Sequence, residues 1–167
     1  MNPMNELNDY LKAFSSLHTA RIKGRRAPHK AVLLLAIIDL VERAEITSPR
    51  IELSDALSHK FTVVWKKYVG ESAIFTADIG KPYFHMQHES FWCLVERHAV
   101  EGALAAEPHP VGASKEEKKS LPRGGYSIKA MRRAFAYAEV DDLLFQLLQN
   151  SEARAALKNI LLHEYFK

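Results

Sequence analysis

The sequence predicts a mainly α-helical domain with one small β-hairpin. In most segments apolar residues recur at intervals of three and four, which is the spacing of a buried helix face. Only two short runs, Tyr83–Met86 and Phe91–Val95, have the character of paired strands, and a polar turn separates them. The chain has 167 residues and is 47% apolar, which is enough for one domain with its own core.

The first part of the chain is predicted to form two helices joined by a basic loop. The first helix, about Asn5–Leu17, has a single apolar face. The second, about His29–Ala44, is apolar almost all round, which is typical of a buried central helix. The loop between them, Thr19–Pro28, contains Gly24 and ends in Pro28, a residue suited to the first turn of a helix.

A short strand and a third helix are predicted before the hairpin. Ile51–Leu53 has strand character, Ser54 is a good N-cap for the third helix, and Gly70 ends that helix. Two helices, a strand, a third helix and a hairpin are the order of a winged helix-turn-helix. We therefore predict a winged helix-turn-helix-like core over residues from about 1 to 98.

The rest of the chain is predicted to be a loop followed by helices. Residues from about 101 to 122 include Pro108, Pro110 and the charge run KEEKK, which favours a mobile surface loop. From about 127 to 167 apolar residues return at helical spacing and predict a C-terminal helical subdomain. Residues 1–167 are predicted to be a single domain.

The distribution of charge favours a polyanionic partner more than the net charge does. The net charge is only +3, but residues 21–30 contain no acid and several cations. A second basic group within residues 115–133 is diluted by two glutamates. The first group consists of Arg21, Lys23, Arg25, Arg26 and Lys30.

Several sequence features bear on location. The single cysteine, Cys93, fits a reducing compartment, and the N-terminus lacks the pattern of a signal peptide. The longest apolar run is far too short to span a bilayer. We expect a cytoplasmic protein without a membrane partner.

Three segments together resemble a known family. They are GRRAPHKAVLLLAIIDL (Gly24–Leu40), KPYFHMQHESFWCL (Lys81–Leu94), and GGY (Gly124–Tyr126) followed by a helix and NSEARAALKNILLHEYF (Asn150–Phe166). Their order and spacing are similar to those of the sulfur-binding domain found ahead of HNH nuclease domains in type IV, modification-dependent restriction enzymes. The resemblance implies a non-catalytic module without metal or cofactor that binds phosphorothioate DNA, in which sulfur replaces a non-bridging phosphate oxygen. The HNH signature does not occur in this chain, so we expect either a standalone reader or the binding domain of a longer enzyme.

The second segment is expected to supply the contacts to sulfur. Sulfur is larger and less hydrated than oxygen, so its site should offer a close apolar wall. Pro82 suits that wall because it is rigid and has no N–H, and the rings of Tyr83 or His85 would extend it. Lys81 is a departure, since family members often have an aromatic residue before the proline. The pocket is therefore expected to be built differently here.

Strand alternation predicts which of these side chains face the DNA. If the segment is a strand, Phe84 and Met86 pack inward, and Lys81, Tyr83 or His85 face the ligand. A purely structural role stays open for each of them, as the start of a strand, as sheet packing or as support for the hairpin.

Most of the affinity is expected to come from ordinary phosphate contacts. Exchanging one atom for a slightly larger one resembles a methylene difference, worth roughly 1–3 kcal/mol. Basic-loop arginines bind phosphates or guanine edges, a helix entry offers free N–H groups, and glycines beside an arginine let the backbone approach. The residues that meet these descriptions are Arg25 and Arg26, His29 and Lys30, and Arg123 and Gly124.

A winged-helix transcription regulator without sulfur recognition is the main alternative. It would read base edges with the exposed face of the third helix instead of binding the backbone at Pro82. That face carries Ser58, His59, Thr62, Lys66 and Lys67.

Other classes have weaker support. His85, His88 and Glu89 spell H-x-x-H-E, which matches no zinc motif, and no G-x-S-x-G or Walker loop occurs. Cys93 is expected to be a small buried hydrophobe. A protein-interaction adaptor that uses the C-terminal helices would leave the basic loop unexplained.

Overall fold

The protein is mainly helical and has two small antiparallel sheets within its described residues, which are 3–103 and 118–166 of the computed structural model. This confirms the predicted fold class at the level of its helices and its small amount of β structure. The helices are α1 Pro3–Ser15, α2 His29–Glu42, α3 Asp55–Tyr68, α4 Gly80–His85, α5 Arg97–Ala103, α6 Ile128–Ala134, α7 Asp142–Leu148 and α8 Ser151–Tyr165. The strands are β1 Arg21–Ile22, β2 Arg25–Arg26, β3 Arg50–Ile51, β4 Trp92–Glu96 and β5 Phe135–Val140.

The central position of α2 confirms the prediction from its all-round apolar sequence. Its residues from Lys30 to Val41 are all buried except Asp39. Pro28 caps the helix without needing an N–H, and its carbonyl accepts from the Val32 amide at 2.9 Å. Helices α3, α4 and α8 all pack against α2, so the core is built around it.

The caps predicted for α3 are also confirmed. The Ser54 hydroxyl accepts from the Leu57 amide at 3.1 Å and satisfies one of the free donors at the helix start. Gly70 follows the helix with a φ of 69°, a left-handed value that suits glycine at a helix end. Phe61 and Trp65 on the apolar face are buried.

The predicted hairpin of Tyr83–Met86 with Phe91–Val95 is wrong in its first strand. The second run is β4, but residues 80–85 form α4, which a 3-10 turn, Met86–His88, continues. The Asp78 side chain accepts from the amides of residues 80 and 81 at 3.0 and 3.4 Å, which holds the start of the helix. Pro82 then falls in the first turn, where its missing N–H costs nothing.

The true partner of β4 is β5, which lies in a region predicted to be helical. The larger sheet has the order β3–β5–β4 and is antiparallel throughout, with Leu94 and Ile51 both opposite Ala138. Phe135 and Val140 fit a helical spacing, but in FAYAEV the aromatic residues Phe135 and Tyr137 alternate with alanine and a β-branched valine ends the run, which favours a strand. The sheet pairs segments far apart in the chain, which local periodicity does not reveal.

The C-terminal elements complete the central core, and the predicted helices of this region are α6, α7 and α8, with the strand β5 among them. Helix α8 packs against α1 and α2, and β5 is the middle strand of the sheet. The predicted loop over residues 101–122 is tested only at its ends, since residues 104–117 lie outside the described residues and Glu101 belongs to α5. Within the ranges that are described, no helix is long and apolar enough to cross a membrane.

Candidate nucleic-acid interface

The basic loop between α1 and α2 is an ordered β-hairpin, here called the basic hairpin (residues 21–26). β1 and β2 pair antiparallel, so that Ile22 lies opposite Arg25. Lys23 and Gly24 form the turn with φ of 52° and 77°, the left-handed values that a two-residue hairpin turn needs. Arg25 is exposed, so its guanidinium is accessible to a phosphate or a base edge.

Arg26 holds the hairpin against the body of the protein, in place of its predicted phosphate contact. Its Nη2 donates to the Leu17 carbonyl at 3.2 Å and to the Tyr165 hydroxyl at 3.0 Å. The guanidinium carbon lies 4.2 Å from the centroid of the Tyr165 ring, and Nη1 lies 4.0 Å from a Glu164 carboxylate oxygen. The donors of Arg26 are thus used within the fold.

Lys30, which was predicted to meet anions at the entry of α2, is buried in an ion pair instead. Its Nζ lies 2.7 Å from Glu89 Oε2, and only 7% and 5% of the two side chains are exposed. Glu89 also accepts from the His18 amide at 2.9 Å, and the His18 ring nitrogen Nδ1 lies 3.2 Å from its other oxygen. Burial lowers the pKa of Lys30, and the bond to Glu89 offsets part of that effect.

Pro82 and Tyr83 are buried, which corrects the prediction that they face the ligand. The Tyr83 hydroxyl donates to a carbonyl of β3 at 2.6 Å, and its ring meets Trp92 edge-on at 5.4 Å. Burial raises the pKa of the Tyr83 hydroxyl. The strand alternation did not apply because the segment is helical, although Phe84 and Met86 are buried as predicted.

Two histidines, His85 and His88, lie on the outer side of α4 and the 3-10 turn, and His85 is next to the ring of Tyr126. We call these three rings the histidine cluster. The two imidazoles stack with centroids 5.7 Å apart and an interplanar angle of 20°. The His85 Nε2 lies 2.8 Å from the Tyr126 hydroxyl, within hydrogen-bond distance. The exposed Lys81 ammonium lies 5.9 Å from the centroid of the Tyr126 ring. Lys81 and His85 therefore lie on the accessible side, as predicted.

The two imidazoles of the cluster are mainly uncharged at neutral pH. Burial lowers the pKa of His85, and the neighbouring His88, Lys30 and Lys81 lower it further. Burial also lowers the pKa of His88, as do Lys30 and Lys118, while Glu89 opposes them in part. A histidine whose pKa lies below about 6.5 is mostly neutral at pH 7 and presents one N–H donor with a flat ring face.

A glycine-containing turn at residues 122–126 carries Tyr126 to the cluster. A Cβ on Gly80 would lie 1.7 Å from the Tyr126 carbonyl oxygen, so the approach of the turn to α4 requires glycine there. Gly124 has a φ of 98°, and both Arg123 and Gly124 are exposed. The structure thus brings the predicted second phosphate contact beside the histidine cluster.

His29 lies at the start of α2. Its Nε2 lies 2.8 Å from the Thr76 carbonyl oxygen and donates to it, and its ring centroid is 4.8 Å from that of Trp65. Burial lowers the pKa of His29, against the opposing effect of the Thr76 carbonyl. His29 lines an open groove of about 620 Å³ together with Lys81 and Tyr126.

Sequence reasoning did not identify His88 and Tyr126 as members of the candidate interface, nor Glu89 as the buried partner of Lys30 and His18. His88 and Glu89 were considered only as metal ligands, and Tyr126 only as part of a matching motif. Had residues 81–88 been interpreted as helical, the three-residue interval from His85 to His88 would have placed both rings on one side.

Comparison with known proteins does not assign the chain to a family. No protein-family model matches it, and a search of curated proteins finds no significant match. Among residues 3–103 and 118–166, no group of three or more His, Cys, Asp or Glu side chains is arranged to hold a metal ion.

Proposed function

We propose that the protein binds double-stranded DNA along a surface from the basic hairpin to the histidine cluster, and that it prefers phosphorothioate DNA. The observation that carries this proposal is the stacked pair of imidazoles, His85 and His88, which lies beside Tyr126 and the exposed Lys81. The proposal includes the role suggested by the sequence resemblance, a cytoplasmic targeting module that works with an HNH nuclease domain.

Uncharged rings suit sulfur better than they suit a phosphate oxygen. A phosphate oxygen is best bound by a cation or by several N–H donors, whereas the weakly hydrated sulfur gains from a polarisable ring face. A neutral imidazole offers such a face and keeps one N–H for the other non-bridging oxygen. His85, His88 and Tyr126 supply the faces that Pro82 and Tyr83 were expected to supply.

General affinity for DNA would come from exposed cations on either side of the cluster. Arg25 in the basic hairpin and Lys81 and Arg123 beside Tyr126 are all exposed. Contacts of this kind release counterions and weaken steeply with added salt. The sulfur contact does not involve counterion release, so the preference for sulfur should persist as salt rises.

The order of elements supports a winged-helix-like core in this proposal. After α2, the chain forms β3, α3, α4 and β4, and β5 follows after α5 and α6; β5 pairs antiparallel with β4 on one side and with β3 on the other. In such a core α3 and α4 would be the helix pair, and α4 would take the position of the DNA-facing helix.

A winged-helix regulator without sulfur recognition is the second candidate, and the outer face of α3 favours it. His59, Thr62, Lys66 and Lys67 are exposed there, which gives a polar and basic helix face of the kind that reads base edges. In that case the histidine cluster would contribute little to binding.

A titration with matched duplexes tests the proposal. A short fluorescent duplex is titrated with and without a single phosphorothioate, at low and moderate salt. We expect roughly tenfold tighter binding to the modified duplex. Both affinities should fall with salt while their ratio holds. Failure to bind either duplex would overturn DNA binding, and equal affinity for both would favour the regulator.

Two variants test which residues give the preference for phosphorothioate DNA. The double substitution His85→Asn and His88→Asn keeps hydrogen-bond donors but removes both ring faces, so the preference for sulfur should vanish while binding to plain DNA persists. The matched control is His59→Asn on α3, which should change neither quantity. If His59→Asn weakened binding and the double variant did not, α3 would be the DNA-binding element.

A further inference from the structure

The basic hairpin has two different faces. Ile22 and Arg25 form one cross-strand pair, and Arg21 and Arg26 form the other. Directly opposed residues of an antiparallel pair project from the same face of the ribbon. Arg26 packs on Tyr165 and anchors its own face to the protein. Ile22 and Arg25 therefore share the opposite face.

Ile22 is an unusual residue for such a place. It is 44% exposed, and it lies beside a tight turn among exposed cations. A single exposed apolar side chain is ordinary on a protein surface. Here, however, an aliphatic group and a guanidinium are paired directly across a narrow ribbon.

This pair matches the chemistry of base edges in the major groove of DNA. An arginine binds the O6 and N7 of guanine with two hydrogen bonds, and an apolar group contacts the 5-methyl of thymine. The groove is about 12 Å wide and admits a two-stranded ribbon. Opposed Cβ atoms lie roughly 5 Å apart, close enough for the two side chains to reach neighbouring base pairs, which are stacked about 3.4 Å apart.

We infer that the Ile22–Arg25 face of the hairpin enters the major groove and reads a guanine beside a thymine, with Arg25 on the guanine and Ile22 on the thymine methyl. This inference rests on the proposed DNA binding and deepens it by naming a base context near the bound phosphate. It assigns the hairpin a role in specificity in addition to its general attraction for phosphates.

Contacts at its base, on one face and at its turn stabilise the basic hairpin in the conformation that this role requires. The Ala27 amide donates to the Ala20 carbonyl at 2.8 Å and closes the base of the ribbon. Arg26 fixes one face, and the left-handed residues Lys23 and Gly24 define the turn. A ribbon already ordered before binding loses little conformational entropy when it enters the groove.

Selection from a pool of random duplexes tests the inference. The pool carries one fixed phosphorothioate flanked by random base pairs, and bound duplexes are sequenced. The wild-type protein should enrich guanine and thymine at adjacent positions with a fixed offset from the sulfur. Ile22→Ala should lose the thymine preference alone, and Arg25→Ala should lose the guanine preference. Val63→Ala, which shortens another exposed side chain on α3, is the matched control and should enrich the same bases as the wild type.

Uracil gives the sharper measurement, because it differs from thymine only by the methyl group. In one enriched duplex, replacing that thymine by uracil should weaken wild-type binding about fourfold, as expected for one buried methyl. Ile22→Ala should bind both duplexes equally. Equal binding of thymine and uracil by the wild type, or no enrichment at all among bound duplexes, overturns the base reading while DNA binding stands. Absence of binding to the whole pool would overturn the proposed function itself.

Discussion

The basic hairpin and the histidine cluster both lie among basic residues, but the chemistry of the two regions differs. Arg25 in the hairpin is exposed and its charge is accessible. Beside the cluster, Lys30 is paired inside the protein with Glu89, and burial lowers the pKa of His85 and His88. In the proposed function, one region would supply a long-range attraction that salt weakens, and the other would supply short-range contacts with ring faces. Counting basic residues in the sequence does not distinguish them.

The ion pair beneath the histidine cluster should show the largest single effect. Lys30→Ala leaves the Glu89 carboxylate buried with only the His18 amide and ring nearby, so we expect about 3 kcal/mol of lost stability. The double variant Lys30→Met and Glu89→Gln should recover most of that loss, because no unpaired charge remains and the glutamine still accepts from His18. Urea unfolding measures both. A loss below about 1 kcal/mol for Lys30→Ala would mean that the pair is solvated.

The close contact between α4 and the turn at residues 122–126 gives the next effect. Gly80→Ala would drive a Cβ into the Tyr126 carbonyl, so the turn must move away, at an expected cost of about 2–3 kcal/mol. Gly24→Ala is the matched control in the hairpin. It meets no atom within 4 Å, so only its left-handed φ of 77° opposes the change, and we expect about 1 kcal/mol. Equal losses of stability for Gly80→Ala and Gly24→Ala, measured by thermal or urea unfolding, would contradict the close packing of Gly80 against Tyr126.

Substitutions of the adjacent residues Arg25 and Arg26 distinguish effects on stability from effects on DNA binding. Arg26→Ala removes several hydrogen bonds and the contact with Tyr165, so we expect about 1–2 kcal/mol of lost stability. Arg25→Ala should change stability by less than about 0.5 kcal/mol, because the residue is exposed. It should weaken DNA binding and reduce the salt slope by about 1. If Arg26→Ala left the stability unchanged and reduced the salt slope of DNA binding, the phosphate contact predicted for Arg26 from the sequence would be supported.

The helical elements were accessible from the sequence because their signals are local. The burial of α2 follows from its all-round apolar composition, and the start of α3 follows from Ser54. The sheet was not accessible in the same way. β4 finds its partner in β5, across a long separation in the chain, and the register of Leu94 with Ala138 is set by tertiary packing. A short apolar run does not reveal its partner.

The candidate site was predictable in its composition but not in its geometry. Lys81, Arg123 and Gly124 are exposed and His85 is half-buried, so these four predicted site residues are accessible. The error at Tyr83 followed from treating the segment as a strand, which places its ring outward when the helix places it in the core. The roles of Arg26 and Lys30 depend on partners in α8 and beside the 3-10 turn, and no local pattern specifies such partners.

The pH dependence of stability gives the smallest effect, and the pH dependence of DNA binding involves both regions. The folded protein lowers the pKa of His85 and His88 below about 6.5, so the unfolded chain binds protons more readily. Their contribution to stability is therefore complete above about pH 6.5 and is lost as the pH falls through the lowered values. We expect the free energy of unfolding to fall between pH 7 and pH 5.5, and a flatter profile for the double variant His85→Asn and His88→Asn.

The same titration should change what the cluster binds. Protonated imidazoles add positive charge beside Lys81, which strengthens binding to ordinary phosphate, and they lose the neutral ring face that favours sulfur. As the pH falls from 7.5 to 5.5, affinity for the plain duplex should rise and the preference for phosphorothioate should shrink. The Arg25→Ala protein should show the same trend at lower overall affinity, because it keeps both histidines. A preference for sulfur that stayed constant across the pH range would assign sulfur recognition to groups other than these two histidines.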